Sequence, residues 1–259
     1  MDQDWQNYTV PNPERYEIFP ALPYAGNGHP RQTLYYARPK EKQNASTIFW
    51  LHGGGMTGDG REYLPGFYDG NNAVVEVRYR VTSDAPAPAQ LEDAATALGW
   101  VWQHLAKYGG TPDKVLIGGM SAGAYLAAMI TMAPEYGRRC GYATWRPAGI
   151  MLVSGQMTTH FQFKADLGYP GNQFTPVIDK LAPLAYLSAE LPPILLITGE
   201  AGLDMPARME ENAFMAASLR ALGHSRTEHY ALPGIDHGTV LDNSEPLLQQ
   251  FIRKVLAPS

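Results

Sequence analysis

Apolar runs bounded by turn residues recur along the chain and predict strands. Several of them, such as VLIG, IMLV and ILLI, are continuously apolar, as expected for strands covered by helices on both faces. The predicted strands lie near residues 16–22, 32–37, 46–51, 73–79, 114–118, 149–153, 194–198 and 227–232. We expect the first two to form a hairpin and the others to form a mostly parallel sheet.

Stretches with helical periodicity alternate with these strands. Between residues 87 and 108, one apolar stripe consists of Leu91, Ala95, Leu98, Trp102 and Leu105. Further helices are predicted near 122–132, 207–222 and 246–256. The alternation predicts the α/β class, with a mostly parallel eight-stranded sheet flanked by helices. Ligands of such sheets bind at the carboxyl ends of the strands, so the loops that follow strands are where chemistry is expected.

We expect a single domain over residues 1–259, because α/β enzymes of this length commonly form one core. No repeat, low-complexity tract or flexible linker divides the sequence. Residues 1–30 are predicted to form an N-terminal extension that includes the first strand. Residues 156–192 are predicted to form a short insertion or lid, which is rich in aromatic residues.

Composition and charge limit the partners. The chain is 45% hydrophobic and carries a formal net charge of -5, so it lacks the basic field that nucleic acids and anionic membrane surfaces require. Its apolar runs are far shorter than the ~20 residues of a membrane-spanning helix. We therefore expect a globular protein with a small-molecule or carbohydrate substrate, no nucleic-acid partner and no membrane span. The oligomeric state stays open.

The cysteine content and the first residues bear on the compartment. The single cysteine, Cys140, cannot close an intramolecular disulfide and is expected to be a structural or solvent-facing thiol. Residues 1–20 lack the basic start and apolar stretch of a secretory signal. We expect a cytoplasmic protein, or an exported one whose signal peptide has been removed.

A serine lies in a tight turn between a predicted strand and a predicted helix. The segment GMSAG at 119–123 follows the strand KVLIG and precedes the helix AYLAAMITM. A serine hydroxyl is a poor nucleophile unless it is lifted clear of its neighbours and set beside a base, which this kind of turn achieves. Ser121 is therefore the predicted nucleophile. The alternative is that Ser121 only caps the helix.

A glycine-rich segment, HGGG at 52–55, follows the strand STIFWL. Glycines let backbone N–H groups turn towards a developing negative oxygen without obstruction by side chains. The predicted oxyanion hole consists of the amides of Gly54, Gly55 and Ala122. For His52 we favour a role in bracing the loop over a catalytic one, and a glycine loop without function is the alternative for the whole segment.

The base is sought among seven histidines. His237 lies in the loop PGIDHGT just past the last predicted strand, from which a histidine can reach the nucleophile. A surface histidine is the alternative reading. Structural roles are expected for the other candidates, which are His29, His104, His160, His224 and His229.

The acid is sought in the loop GEAGLDMP that follows the strand PPILLIT. Both Glu200 and Asp204 come after the serine and before the histidine, which gives the chain order serine, acid, histidine. We prefer Asp204, although a helix cap would also explain its position. Glu200 then becomes a supporting loop residue, and Asp236 is a weaker candidate beside His237.

Together these motifs resemble the α/β-hydrolase superfamily, and within it the HGGG-type esterase/lipase group, which includes hormone-sensitive-lipase-like enzymes and small carbohydrate-acyl esterases. The resemblance rests on HGGG, VVEVRYRV with the following QLED, GMSAG, GEAGLD and DHG, and it extends from about residue 32 to the C-terminus. It implies the triad and oxyanion-hole roles given above and a reaction without metal or organic cofactor.

Two departures from the lipase pattern bear on the substrate. Met120 stands where lipase-like relatives usually have an acidic residue, and Met56 stands where they usually have a bulky aromatic one. The short insertion predicts a small lid or an open cleft, whereas long acyl chains need a deep apolar channel. We therefore expect a serine esterase that acts through an acyl-enzyme on Ser121. Its expected substrates are short-acyl or aryl esters, with acylated plant carbohydrate as one class. A peptidase or amidase of the same fold is the alternative.

Overall fold

The computed structural model describes residues 5, 9–141 and 146–257, and its centre is one eight-stranded sheet. The strands are β1 (Tyr16–Pro23), β2 (Thr33–Pro39), β3 (Ala45–Leu51), β4 (Asn72–Val77), β5 (Gly110–Met120), β6 (Gly149–Val153), β7 (Ile194–Thr198) and β8 (Thr227–Ala231). Their order across the sheet is β1-β2-β4-β3-β5-β6-β7-β8. The first part of the predicted N-terminal extension, apart from Trp5, lies outside the described residues.

The pairing confirms the predicted fold class. Strands β1 and β2 form the expected antiparallel hairpin, and β2 also pairs with β4 in antiparallel orientation. All pairings from β4 through β3 to β8 are parallel. Strands β3, β6 and β7 are buried along their whole lengths, because helices cover the sheet on both faces.

The helices are α1 (Ala89–His104), α2 (Ala122–Met132), α3 (Pro134–Arg139), α4 (Phe161–Asp166), α5 (Arg208–Ala221) and α6 (Val240–Leu256). Adjacent strand residues point to opposite faces, so Phe49 packs in the core with α1, α2 and α5, while Ile48 packs in the core with α6. Of the helices in the described part of the chain, none combines the length and apolarity needed to cross a bilayer.

The last helix differs from its prediction. The sequence predicts a start near residue 246, but α6 begins at Val240 and contains Pro246 in its interior. The buried side chains of Val240 and Ser244 lie in the added turns. Asp236 accepts hydrogen bonds from the backbone N–H and the hydroxyl of Thr239 just before the helix, at 2.9 and 2.7 Å. These bonds and this packing favour the early start over the loss of one backbone bond at proline.

The predicted apolar stripe of the first long helix is correct except at one position. Leu91, Ala95, Leu98 and Leu105 are buried, but Trp102 is only half-buried. Short helices such as α3 and α4 were not predicted, because six residues are too few to show a helical period. Helix α4 belongs to the insertion at 156–192, which holds little other regular structure.

Strand direction sets where the chemistry lies. In the parallel part of the sheet, Leu51 at the end of β3 pairs with Gly119 near the end of β5, and Thr198 at the end of β7 pairs with Ala231 at the end of β8. The loops after these strands therefore emerge at the same edge of the sheet.

Candidate active site

Ser121 occupies a strained turn between β5 and α2. Its backbone has φ 54° and ψ −115°, outside the conformations that non-glycine residues usually adopt. The flanking residues must be glycines, because a Cβ at either position would clash with the neighbouring backbone. A Cβ at Gly123 would lie 1.9 Å from the carbonyl oxygen of Leu51, and a Cβ at Gly119 would lie 2.4 Å from the carbonyl carbon of Gly123. The GMSAG sequence thus allows the close turn that presents the Ser121 hydroxyl.

His237 lies opposite this serine in the loop between β8 and α6. Its Nε2 is 3.0 Å from the Oγ of Ser121, within hydrogen-bond distance. The side chain of His237 is 27% exposed, so the imidazole faces the cleft while remaining anchored. The structure therefore brings the predicted base to the predicted nucleophile.

Asp204 lies behind the histidine, in the loop after β7. Its Oδ1 is 2.6 Å from the Nδ1 of His237, so it accepts the Nδ1–H and leaves Nε2 free to take a proton. The backbone N–H groups of Gly199 and Met205 also donate to this carboxylate, at 2.8 and 2.7 Å. Burial alone would raise the pKa of Asp204, but the hydrogen bonds from His237, Ser154 and these amides hold the pKa at about 2.

Ser154 is a supporting residue that the sequence analysis missed. It follows β6 directly, and its N–H donates to the carbonyl of Ile197 at 2.7 Å, which continues the sheet by one residue. Its hydroxyl donates to the Asp204 carboxylate, with Oγ 2.8 Å from both carboxylate oxygens and 3.0 Å from Nδ1 of His237. The sequence signal was a small polar residue directly after a buried strand at the catalytic edge of the sheet.

The predicted oxyanion-hole residues lie around the nucleophile. Gly54, Gly55 and Ser121 line the same cavity, and Ala122 is the first residue of α2. Gly54 and Gly55 have φ values of 98° and 62°, which favour glycine. Among the residues that the structure describes, none accepts a hydrogen bond from the N–H of Gly54, Gly55 or Ala122. Their amides are thus available to a ligand oxygen.

His52 braces the glycine loop. Its Nδ1 lies 2.8 Å from the carbonyl oxygen of Gly53, to which it donates, and its ring stacks on Tyr79 at 4.3 Å between centroids. The hydroxyl of Tyr79 donates to the carbonyl of His52 at 2.8 Å. Burial lowers the pKa of His52 to about 4, so the ring is neutral near pH 7. His52 lies outside the Ser121–His237–Asp204 chain of hydrogen bonds.

Glu62 holds the same loop from the other side. Its two carboxyl oxygens accept hydrogen bonds from the N–H of Gly53, at 2.7 Å, and from the indole N–H of Trp50, at 2.5 Å. Nothing in the sequence marked this residue, because its partners come from the strand and loop twelve and nine positions earlier. Glu62 also lines the cavity that contains Ser121.

We expect Glu62→Gln to change the pH dependence of stability. Burial raises the pKa of Glu62 to about 7, although the hydrogen bonds from Trp50 and Gly53 lower it in part. The ordinary value is 4.5, so the folded protein retains a proton in this window that the unfolded chain loses. The contribution of Glu62 to stability is therefore largest below the unfolded pKa and decreases as pH rises towards 7.

The measurement is urea unfolding of wild type and Glu62→Gln near pH 5 and near pH 8. The wild type should lose stability relative to the variant between the two pH values. A stability difference that stays constant would show that Glu62 keeps an ordinary pKa in the folded protein.

The remaining sequence candidates have structural contacts. Glu200 accepts a hydrogen bond from the N–H of Gly234 at 2.5 Å, so it braces the loop that carries His237 but does not contact its ring. Asp236 bonds to Thr239 as described above. Cys140 is buried and its thiol donates to the carbonyl of Ala95 at 3.4 Å, which resolves the two readings in favour of a structural thiol.

A cavity of about 530 Å³ opens in front of Ser121, and we call it the catalytic cavity. It is lined by Gly53, Gly54, Gly55, Glu62, Tyr63, Met120, Ser121, Phe161, Met205, His237, Gly238, Leu241 and Asp242. A nucleophile, a base and free amides therefore face one space large enough for a small organic ligand. The described residues contain no cluster of His, Cys, Asp and Glu side chains that could hold a metal ion.

Two family models match the sequence. The model described as Prolyl oligopeptidase family matches residues 90–255, which include the serine, the acid and the histidine. The model described as BD-FAE matches residues 34–142, which include the glycine loop and the serine. The first match covers well over half of the chain.

Similar proteins include named esterases. Esterase LipQ of Mycobacterium tuberculosis is 27% identical over 247 residues, covering 83% of this chain and 56% of that protein. Across the first curated relatives, the chain spans from 21% to 56% of their length.

Solved structures share the fold. A truncated carbohydrate esterase from gut microbiota has a TM-score of 0.76 at 17% identity, covering 95% of this chain and 99% of that one. An esterase of the Planctomycetes species Thermogutta terrifontis, solved with propionate bound, has a TM-score of 0.73 at 21% identity, covering 96% and 98%.

Proposed function

The chain belongs to the prolyl oligopeptidase family, within the α/β-hydrolase superfamily, and from this premise we propose that it is a serine esterase that hydrolyses carboxylic esters. The observation that carries the proposal is the hydrogen-bonded chain from Ser121 through His237 to Asp204, facing free backbone amides across one cavity. Similarity to Esterase LipQ supports ester over amide hydrolysis.

The reaction follows from the geometry in two halves. Nε2 of His237 takes the hydroxyl proton as Oγ of Ser121 attacks the ester carbonyl, and the amides of Gly54, Gly55 and Ala122 stabilise the oxyanion. The C–O bond then breaks, and the alcohol leaves with the proton from His237. Water repeats the attack on the acyl-enzyme with the same base, which frees the acid and restores the serine. Each step uses only groups of this chain, substrate and water.

Phe161 limits the space on the acyl side of the site. The leaving alcohol must lie near His237 to receive its proton, so the acyl group takes the opposite side, beside the glycine loop. There, the ring of Phe161 lies against the loop, with its Cζ 3.4 Å from where a Cβ of Gly55 would be. The ring is held in turn by the imidazole of His160, stacked at 4.4 Å between centroids. This arrangement supports short acyl groups.

We expect kcat/KM to fall from p-nitrophenyl acetate through the butyrate to the octanoate, and Phe161→Ala to reverse this order in part. Removing the ring opens the acyl side. In a hydrophobic pocket, contact with an added methylene group raises kcat/KM by ~10-fold or more. The variant should therefore gain about tenfold for octanoate relative to acetate. The measurement is the kcat/KM ratio of the two esters in each protein.

Phe214→Ala is the matched control, because Phe214 is an exposed phenylalanine of α5 and lies outside the residues lining the catalytic cavity. It should keep the wild-type ratio. An octanoate-to-acetate ratio that is equal in wild type and Phe161→Ala would remove Phe161 from the acyl side.

A peptidase or amidase is the second candidate, because the family model that covers most of the chain is named for an oligopeptidase. The same triad would serve both reactions. Comparing p-nitrophenyl acetate with the p-nitroanilide of acetic acid separates them, since the acyl group is the same and only the leaving atom differs. If p-nitroaniline is released from the anilide faster than p-nitrophenol is released from the ester, the amidase replaces the esterase as the proposed function.

A further inference from the structure

A second cavity of about 230 Å³ adjoins the catalytic cavity, and we call it the Tyr63 cavity. The two share the lining residues Tyr63, Leu241 and Asp242. The remaining lining residues of the second cavity are Leu64, Pro65, Gly66, Phe67, Glu245 and Leu248. The two cavities are therefore neighbours that share part of their walls.

The position of the base indicates which part of an ester reaches the Tyr63 cavity. The alcohol oxygen must lie near Nε2 of His237 to receive its proton. Gly238 and Leu241 follow His237 in the chain and line the catalytic cavity, and Leu241 also lines the Tyr63 cavity. The wall that begins at the base thus leads into the second cavity. The alcohol half of an ester held at Ser121 is therefore the half that lies on the side of this cavity.

The Tyr63 cavity combines an exposed aromatic ring with apolar and acidic walls. The side chain of Tyr63 is 61% exposed, which is unusual for so large a hydrophobic residue. Beneath it, Leu64, Phe67 and Leu248 are buried in the core that supports the cavity floor. A rigid amphipathic ring in this setting offers a flat face to a flat, partly apolar ligand.

Hydrogen-bond acceptors complete the cavity. Asp242 and Glu245 lie one turn apart on α6, and within the part of the chain that the structure describes neither carboxylate has a side-chain hydrogen bond or an ion pair. Gly66 has no side chain, and a Cβ there would lie 2.3 Å from Oε1 of Glu245. The loop therefore makes room for this carboxylate at the cavity wall.

We propose that the Tyr63 cavity binds the alcohol half of the substrate and that this alcohol is the ring of a neutral sugar. The inference rests on the proposed esterase function and adds the class of the leaving group and the residues that select it. One pyranose face, lined by C–H groups, packs on Tyr63. The ring hydroxyls donate to the carboxylates of Asp242 and Glu245.

Charge argues against an anionic alcohol, and the number of available ring faces argues against a quaternary ammonium alcohol. Two unpaired carboxylates repel an anionic leaving group such as a phosphorylated sugar. A quaternary ammonium alcohol is usually bound by several aromatic faces arranged as a cage. Of the two aromatic residues that line the Tyr63 cavity, Phe67 is only 1% exposed, so one ring face is available. Stacking on one side and acceptors on the other fit a neutral polyol ring.

The test compares acetates that differ only in the alcohol: ethyl acetate, an acetylated methyl xylopyranoside and acetylcholine, with released acid titrated at constant pH. In Tyr63→Ala, KM for the xylopyranoside acetate should rise about tenfold with kcat nearly unchanged, because the loss of one stacking contact corresponds to about a tenfold change in affinity. The KM for ethyl acetate should change much less, since ethanol has no ring to stack. Tyr63→Phe should retain wild-type KM, since the ring face is kept.

Phe214→Ala serves again as the control, because it removes an exposed aromatic ring outside both cavities. Glu245→Gln should raise KM for the xylopyranoside acetate severalfold and leave its kcat close to wild type. This split would not arise from a general loss of folded protein, which lowers the apparent kcat for every ester alike.

The outcomes distinguish the inference from the function on which it rests. If ethyl acetate is hydrolysed but Tyr63→Ala changes both acetates equally, or neither, the sugar subsite is overturned and the esterase stands. A preference for acetylcholine that is lost in Asp242→Asn would assign the cavity to a cationic alcohol instead. No hydrolysis of any of the three esters would overturn both.

Discussion

Replacing Ser121 with alanine is expected to lower kcat for p-nitrophenyl acetate by about four orders of magnitude or more. The change deletes the Oγ that lies 3.0 Å from Nε2 of His237 and leaves no atom that can form the acyl-enzyme. Residual turnover is expected only from water acting beside the base and the free amides. Initial rates with the purified variant, compared at equal concentration of folded protein, provide the measurement.

Ser83→Ala is the matched control, since Ser83 is exposed and lies outside the catalytic cavity. It should retain wild-type kcat. Thermal unfolding separates a chemical effect from a folding defect. The Tm of Ser121→Ala should stay close to that of wild type, because alanine is close to serine in size and the backbone strain at φ 54° is present in both proteins. A Ser121→Ala enzyme with substantial turnover would place the nucleophile elsewhere.

Much of this site could be predicted from sequence because its residues follow strands of one parallel sheet. A strand that is buried on both faces is continuously apolar, and the next polar or small residues then mark the edge where ligands bind. Ser121 and Asp204 lie in loops after strands of this kind, whereas His237 lies in the loop after β8, whose residues are only half-buried or exposed. The glycines of GMSAG could also be interpreted from the sequence, because a turn so close to the carbonyl of Leu51 has no room for a Cβ at Gly123.

The parts that could not be predicted depend on contacts between distant segments. Ser154 contacts Asp204 only because β6 and β7 are neighbours in the sheet, and no local pattern encodes the bond across that pair. Glu62 lies in an irregular loop whose course is set by the tertiary fold. The early start of α6 likewise depends on burial of Val240 and Ser244 and not on the propensity of proline at 246.

The sequence also left two acids as candidates, and the structure shows why only one reaches the histidine. Asp204 and Glu200 lie in the same loop after β7. The carboxylate of Asp204 turns inwards to His237, whereas that of Glu200 turns to the backbone of Gly234. The backbone N–H of Asp204 donates to the carbonyl of Glu200 at 2.9 Å, so a single turn directs the two acids to different partners.

Asp204→Asn is therefore expected to lower kcat for p-nitrophenyl acetate by about three to four orders of magnitude. The carboxylate accepts from four groups, which are His237 Nδ1, the Ser154 hydroxyl and the amides of Gly199 and Met205. An asparagine has one acceptor oxygen, and its NH2 group would face a donor. The simplest relief is for Nδ1 of His237 to give up its proton and accept from that NH2, which puts the proton on Nε2 and removes the base.

Stability gives a second readout of the same substitution. The folded pKa of Asp204, about 2, lies below the ordinary 3.8, so this group stabilises the fold above pH 3.8 and the contribution is lost as pH falls towards 2. Asp204→Asn lacks that contribution. The difference in unfolding free energy between wild type and variant should thus shrink across this acidic window. A difference that is constant with pH would mean that the carboxylate is not held ionised by its four donors.

Glu200→Gln is the control that decides between the two acids. Its amide oxygen can still accept from the N–H of Gly234, so kcat should fall less than about threefold, which corresponds to under 1 kcal/mol in the transition state. If Glu200→Gln lost activity as severely as Asp204→Asn, the loop would have to rearrange in solution so that Glu200 reaches His237. Two results together would identify Asp204 as the residue that fixes the tautomer of the base. One is a large loss of kcat in Asp204→Asn but not in Glu200→Gln, and the other is a stability difference between wild type and Asp204→Asn that shrinks as pH falls towards 2.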